Sequence, residues 1–224
     1  MGFIAFLSIG TVSMFLTLLI VSRIYSIKLW KKILITLLLT IAGVLGTMIM
    51  FFIESGYISG RSFFGAVFFT PLLMLLVARV LKISGGVMLD LCAPCECVML
   101  ILMKVNCYIE GCCAGYILRY DATGVPIRFP SQIVECINAL ILYIVLLIFM
   151  KNNKFHNTVY YWYMILYGFS RFILNFFRET TPFIWLLSAG HFWSLVSIAI
   201  GTLLLVFAKN KNKNNQLNEE KYQY

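Results

Sequence analysis

Long apolar runs separated by short polar breaks dominate the chain. The runs are Phe3 to Ser22, Ile33 to Ile53, Phe63 to Leu81, Val87 to about Val105, Ser131 to Met150, Val159 to Phe177 and Ile184 to Ala208. About 20 apolar residues in a helix cross the hydrocarbon layer of a bilayer. The pattern therefore predicts an all-α, polytopic integral membrane protein with about seven transmembrane helices. Residues 1–208 form its single transmembrane helical domain. Residues 209–224, rich in Asn and Lys, read as a polar cytoplasmic tail with a frayed backbone. The first run lacks a basic leader and is too long for a signal-peptide core, so it counts as a helix. The third tolerates Pro71 as a kink. The fourth carries Asp90, Pro94, Glu96 and Lys104, and its pattern leaves open whether it crosses fully or re-enters.

Composition sharpens that reading. The 224 residues are 61% hydrophobic and 12% charged, with a mean hydropathy of +0.90. A soluble domain is about 45–50% apolar and about 25% charged, so an ordinary cytosolic domain, a disordered chain and a disulfide-stapled module are excluded. The net charge of +9 would suggest nucleic acid in a soluble protein. Here the basic residues gather at the ends of apolar runs, where they set topology and meet anionic lipid, and no nucleic-acid partner is expected. With the N-terminus outside, 12 of the 18 Lys and Arg residues fall on the cytoplasmic side: Arg23, Lys28, Lys31, Lys32, Arg79, Lys82, Lys151, Lys154, Lys209, Lys211, Lys213 and Lys221. The predicted orientation is N-out, C-in.

The other six, Arg61, Lys104, Arg119, Arg128, Arg171 and Arg178, break the topology rule. An ionisable group at membrane depth costs at least a few kcal/mol, so it pairs, lines a wet cavity or does chemistry. Tyr167, Arg171, Asn175 and Arg178 fall at i, i+4, i+8 and i+11, one stripe of the sixth helix. Two guanidiniums on one face suit a phosphate or carboxylate. The structural alternative is an ion pair of Arg171 with Glu96 or Glu135, and Arg178 beside Glu179 could snorkel.

Two further stretches stand out. In Lys104 to Gly115, Gly111 and Gly115 allow close backbone approach, and Cys112 and Cys113 are adjacent. These cysteines read as a reactive thiol, a metal ligand, a vicinal disulfide or small packing residues. No histidine or second Cys-x-x-Cys sits at zinc-like spacing, and no metal is assigned. In Arg128 to Glu135, Ser131 after Pro130 can cap the fifth helix, with Glu135 near the positive end of its dipole. Of the two histidines, His156 reads as a solvated loop residue and His191 as a hydrogen-bonded packing group.

In this order, the segments Gly60-Arg61-Ser62-Phe63-Phe64-Gly65-Ala66, Asp90-Leu91-Cys92-Ala93-Pro94, the glycine turn from Lys104, Pro130 to Glu135 and Tyr167 to Arg178 resemble the prolipoprotein diacylglyceryl transferase family. The resemblance extends from about Gly60 to Gly201. It implies transfer of diacylglyceryl from phosphatidylglycerol to the thiol of a lipobox cysteine, with glycerol phosphate released and no cofactor needed. By the same resemblance the partners are phosphatidylglycerol, a lipobox-containing prolipoprotein or peptide, and the bilayer. The place is a bacterial plasma membrane, with the active face toward the outer leaflet.

The resemblance assigns catalysis to Arg171, Tyr167 and Lys104. It assigns phospholipid binding to Arg178, Arg128, Gly115, Asn175, Gln132 and Glu135. The chain departs from the family pattern at several positions. The family histidine falls on Phe64, the arginine of the glycine turn on Lys104, the asparagine on Cys107 and the glutamate of the sixth span on Asn175. These departures leave two alternatives beside the transferase: a non-catalytic phospholipid- or lipopeptide-binding protein of the same fold, and a thiol-based enzyme using Cys112 and Cys113.

Overall fold

A computed structural model describes residues 3–57, 60–179 and 187–221, with side chains up to residue 210. Its helices are α1 (Phe3–Val21), α2 (Leu29–Ser55), α3 (Phe64–Leu81), α4 (Gly85–Ile109), α5 (Ser131–Lys151), α6 (Val159–Asn175) and α7 (Ala189–Lys221). Six stretches are long and apolar enough to cross a membrane. The remaining helix, α6, has 17 residues and lies against α7. The polytopic helical architecture read from the sequence is what the chain forms.

Most of this apolar surface faces outward. On α2, Ile33, Leu37, Ile41, Leu45 and Ile49 are all exposed, one residue every four. On α5, Ile133, Ile137, Ile141, Ile144 and Ile148 are likewise exposed, three or four residues apart. Acyl chains solvate such stripes, so packing between helices must come from close van der Waals fit. Gly46 of α2 and Gly65 of α3 supply it: a Cβ on Gly65 would sit 1.9 Å from the Gly46 carbonyl oxygen. Gly168 of α6 similarly faces the Ser194 carbonyl of α7.

Helix α4 is the hub, packing on α1, α3, α5 and α6. It runs unbroken through Pro94 from Gly85 to Ile109 and is one of the six stretches long and apolar enough to cross. Two of its buried carboxylates hold neighbouring elements in place. Asp90 accepts the backbone N–H groups of Asn157 (2.7 Å) and Val159 (2.9 Å) and the Tyr25 hydroxyl (3.5 Å), which fixes the start of α6. Glu96 accepts from the Tyr160 hydroxyl at 3.1 Å, so it is not the partner of Arg171.

The ends of the elements depart from the sequence reading in four places. First, α6 stops at Asn175, so Arg178 lies beyond the helix, where it forms an antiparallel bridge with Gly115. Second, α7 begins at Ala189; the expected start at Ile184 lies outside the described residues, and the helix continues to Lys221 through the stretch expected to fray. Third, an antiparallel hairpin, β1 (Ile117–Tyr120) and β2 (Pro126–Arg128), joins α4 to α5 in a chain expected to be wholly helical. Asp121 seeds its turn by accepting the N–H groups of Thr123 and Val125, both at 2.8 Å. Fourth, Pro130 occupies the N-cap position of α5 and Ser131 is its first residue, so the Ser131 hydroxyl does not cap the helix.

Candidate functional site

The elements converge at one end of the bundle. The beginnings of α1, α3, α5 and α7 and the ends of α2, α4 and α6 all contribute to a cavity of about 480 Å³. Its apolar walls include Phe6, Phe51, Phe63, Phe64, Met99 and Met103, and its polar floor includes Lys104, Glu135, Tyr167, Arg171 and Arg178.

At the floor three cations share one carboxylate. Glu135 Oε2 lies 2.7 Å from Lys104 Nζ and 2.6 Å from Arg171 Nη1, and its Oε1 lies 3.3 Å from Arg178 Nη1. All four side chains are largely buried. The structural ion pair of Arg171 with Glu135 therefore exists, yet it leaves two positive charges in excess. Over the whole lining, Arg61, Lys104, Arg171 and Arg178 outnumber Glu54, Glu110 and Glu135 by one. Glu54 accepts the Ser62 hydroxyl at 2.7 Å. The Nε of Arg178 is buried with no hydrogen-bond partner, and a buried donor left unsatisfied costs about 1–3 kcal/mol. An anion entering the cavity would meet this excess charge and this unsatisfied donor.

Tyr167 is 3% exposed, lines the cavity and is held edge-on by Phe63 and Phe64, with ring centroids 5.5 Å away in both cases. Asn175 lines the cavity too, but its amide nitrogen is engaged with the Ser188 hydroxyl and with His191 Nδ1 (3.0 Å). His191 is a hydrogen-bonded packing group, also 2.9 Å from Ser188 Oγ and set against Phe176. His156 is exposed, beside Tyr25.

The remaining candidates surround the cavity without lining it. Arg128 on β2 pairs with Glu179 and donates to the Gly115 carbonyl at 3.4 Å. Gly115 is wedged in place, since an added Cβ would lie 2.5 Å from the Phe177 carbonyl and 2.8 Å from that of Phe129. This tight seat is what lets Arg178 bridge to it and turn inward. Gln132 donates to the Cys112 carbonyl at 2.6 Å, and Ser131 donates to the Cys113 carbonyl at 2.7 Å. The Pro-Ser-Gln segment thus clamps the cysteine turn.

That turn brings together three residues that the sequence had not grouped. Cys107, Cys112 and Cys113 line the cavity with their sulfurs all within 4.8 Å of one another. Among the described residues all seven cysteines are free. Hydrogen bonding from Cys107 and the charges of Lys104 and Arg178 bring the Cys113 thiol down to about 5, against partial desolvation.

These features define a membrane-embedded helical protein with a cationic cavity at one end of its bundle. A model of the prolipoprotein diacylglyceryl transferase family matches residues 6–207, and the chain belongs to that family. It is 29% identical over 164 residues to the phosphatidylglycerol–prolipoprotein diacylglyceryl transferase of Geobacter sulfurreducens, covering 68% of this chain and 63% of that protein. The enzyme of the same name from Idiomarina loihiensis is 31% identical over 173 residues, 72% of this chain and 64% of its own. The chain thus spans a little under two thirds of the length of these relatives.

Proposed function

We propose that this chain transfers diacylglyceryl from phosphatidylglycerol to the thiol of a lipobox cysteine, releasing glycerol phosphate. The observation that carries the proposal is the cluster of Lys104, Arg171 and Arg178 on the single carboxylate of Glu135. A thiolate attacks the glyceryl carbon while charge grows on the departing phosphate. Guanidiniums already held at that place stabilise the charge without reorganising. Arg171 and Arg178 hold the phosphate, Lys104 adds a third positive charge, and Tyr167 offers a hydroxyl to the head group. Glu135, Asn175, Gln132, Gly115 and Arg128 position these groups. The apolar walls receive the glyceryl end of the lipid.

Orientation follows from charge. All of the cavity-lining helix ends lie at the end of the bundle that carries the N-terminus, and 12 of the 18 basic residues lie toward the other. The positive-inside rule then puts the cavity at the outer leaflet of a bacterial plasma membrane, N-out and C-in.

The test is transfer by the purified protein with phosphatidylglycerol and a cysteine-bearing lipobox peptide. Arg171→Ala is expected to lower the rate by about 10²–10³-fold, as for removal of one preorganised oxyanion donor. Arg171→Lys is not expected to restore it, because an ammonium lacks the bidentate fork. No transfer by the parent protein sinks the assigned reaction.

A second reading rests on Phe64, which packs into the cavity wall against Tyr167 and offers no proton acceptor. A protein that holds anionic phospholipid in this cavity without turning it over fits that feature. Co-purifying lipid without turnover selects this reading.

A further inference from the structure

The three-thiol cluster is a constructed feature of the turn after α4. Cys107 lies in the last turns of the helix, and the Cys112 N–H returns to its carbonyl at 3.0 Å. Gly111 takes the left-handed region at φ 67°, which costs glycine little. Cys113 takes it too, at φ 61°, a conformation costing a non-glycine residue about 1–2 kcal/mol. The clamps from Ser131 and Gln132 to the carbonyls of Cys113 and Cys112 hold that strained turn closed. Strain retained by dedicated hydrogen bonds is common where geometry serves a ligand.

We infer that Cys107, Cys112 and Cys113 form a binding site for a thiophilic metal ion of the zinc class, its fourth coordination position open to the cavity. A tetrahedral ion at about 2.3 Å from each sulfur needs sulfurs about 3.8 Å apart. Sulfurs already within 4.8 Å reach that spacing by small side-chain rotations. Three thiolates select zinc or monovalent copper over magnesium or calcium. Three protein ligands and one open position are the arrangement of a reactive zinc site, where a structural site is closed by four. Three thiolates around a divalent ion carry a net negative charge, which Lys104 and Arg178 on the same cavity wall offset.

The use of the ion rests on the transferase reading above. Two of the carboxylates that line the cavity are already engaged: Glu135 holds three cations and Glu54 takes the Ser62 hydroxyl. His191 is bonded to Ser188 and Asn175 through Nδ1, and Glu110 sits exposed at the end of α4. An acceptor thiol that enters the fourth position is deprotonated by the metal, and its proton passes to water. The ligated sulfur then attacks the glyceryl carbon. The carbon–oxygen bond breaks, its electron pair leaves on the glycerol phosphate, and the thioether departs from the metal, whose oxidation state is unchanged.

The test uses the full chain in nanodiscs, reduced and kept anaerobic, titrated with Co²⁺ and with Cd²⁺. One equivalent is expected to bind, with sulfur-to-metal charge-transfer bands and, for cobalt, tetrahedral ligand-field bands. Added N-acetylcysteine amide is expected to shift the cobalt bands by occupying the fourth position. Cys113→Gly removes a ligand while relieving the strained backbone, so weaker binding in that variant does not stem from misfolding. Its affinity is expected to fall more than about 100-fold, beyond what loss of an outer-shell partner causes, while Cys136→Ser leaves binding unchanged. Absence of stoichiometric binding, binding unaffected by Cys113→Gly, or a disulfide among the three cysteines in the protein as isolated overturns the site. Full-rate transfer by chelator-stripped protein overturns the activating role and leaves the transferase reading standing. Metal bound without transfer by the holoprotein strikes that reading and leaves the site.

Discussion

Arg171 and Lys104 meet on one oxygen atom: Glu135 Oε2 is 2.6 Å from the guanidinium and 2.7 Å from the ammonium. They come from α6 and α4, so the carboxylate on α5 ties three helices together at the cavity floor. Removing it leaves like charges facing each other in a poorly solvated place. Glu135→Gln is expected to destabilise the protein by about 3–5 kcal/mol, the usual cost of orphaning a buried charge. Inorganic phosphate is expected to recover more stability in this variant than in the parent, because it replaces the missing negative charge. Thermal unfolding in detergent with and without phosphate measures both; equal recovery would show that the cations do not attract phosphate.

How much of this arrangement the sequence revealed depended on the range of the interaction. The number of helices and the membrane class follow from composition and run length, which need no tertiary knowledge, although only six of the seven helices are long and apolar enough to cross. The stripe of Tyr167, Arg171 and Asn175 follows from helical periodicity and lines the cavity as a stripe should. Arg178 could be placed near it but not on its route, since α6 ends three residues earlier and a backbone bridge to Gly115 takes over. Glu135 was visible both as a helix-start acid and as one of two partners for Arg171; choosing it over Glu96 required knowing that Tyr160 occupies Glu96. Gln132 and Ser131 read locally as a helix start because their carbonyl partners are 18 to 20 residues away. Cys107 stood out only as the place of the family asparagine and was not joined to Cys112 and Cys113, because that contact depends on the path of the turn. Only the left-handed turn through Gly111 and Cys113 brings its sulfur to the vicinal pair, and a turn of that kind is not encoded in spacing alone.

Gly115 tests whether backbone placement of Arg178 matters. A methyl group there meets the Phe177 carbonyl at 2.5 Å and Phe129 at 2.8 Å, closer than a Cβ normally comes to such atoms. Gly115→Ala is expected to cost about 1–3 kcal/mol, as overpacking does, and to displace Arg178 from Glu135. On the proposed reaction, transfer should fall through kcat more than through KM, since the lost contact would act on the departing phosphate. Wild-type kinetics in a destabilised Gly115→Ala protein would show that Arg178 plays no part in the reaction.

The hairpin turn gives a pH dependence with a definite sign. Bonds from the Thr123 side chain and the backbone of Val125 hold the Asp121 carboxyl below its ordinary value. A carboxyl lower in the folded than in the unfolded chain stabilises the turn above its unfolded value of about 3.9. That contribution is lost as pH falls further, through the depressed folded value. Amide exchange at Thr123 and Val125, corrected for intrinsic rates, should hold steady from neutrality down to about pH 4 and then accelerate. Asp121→Ala should show the fast rate at every pH. Exchange that rises near neutrality instead would mean another group controls the turn.

Gln132 connects the Pro-Ser-Gln segment to the chemistry at a distance. Its amide donates to the Cys112 carbonyl while Glu135, three residues on along the same helix, holds the cations, so α5 fixes the turn and the charge cluster in one register. Gln132→Ala removes one hydrogen bond and leaves a carbonyl to find water, at a cost of about 1 kcal/mol. The charge cluster itself should survive. The expected signature is therefore selective: faster amide exchange through residues 111–114 and faster alkylation of Cys112 and Cys113, with little change in exchange along α6. Ser131→Ala should act in the same direction through Cys113, and the double variant should exceed either alone, because the two clamps hold adjacent carbonyls of one strained turn. If alkylation and exchange at the turn stay unchanged in the double variant, the turn is held by other contacts and Gln132 serves the helix start alone.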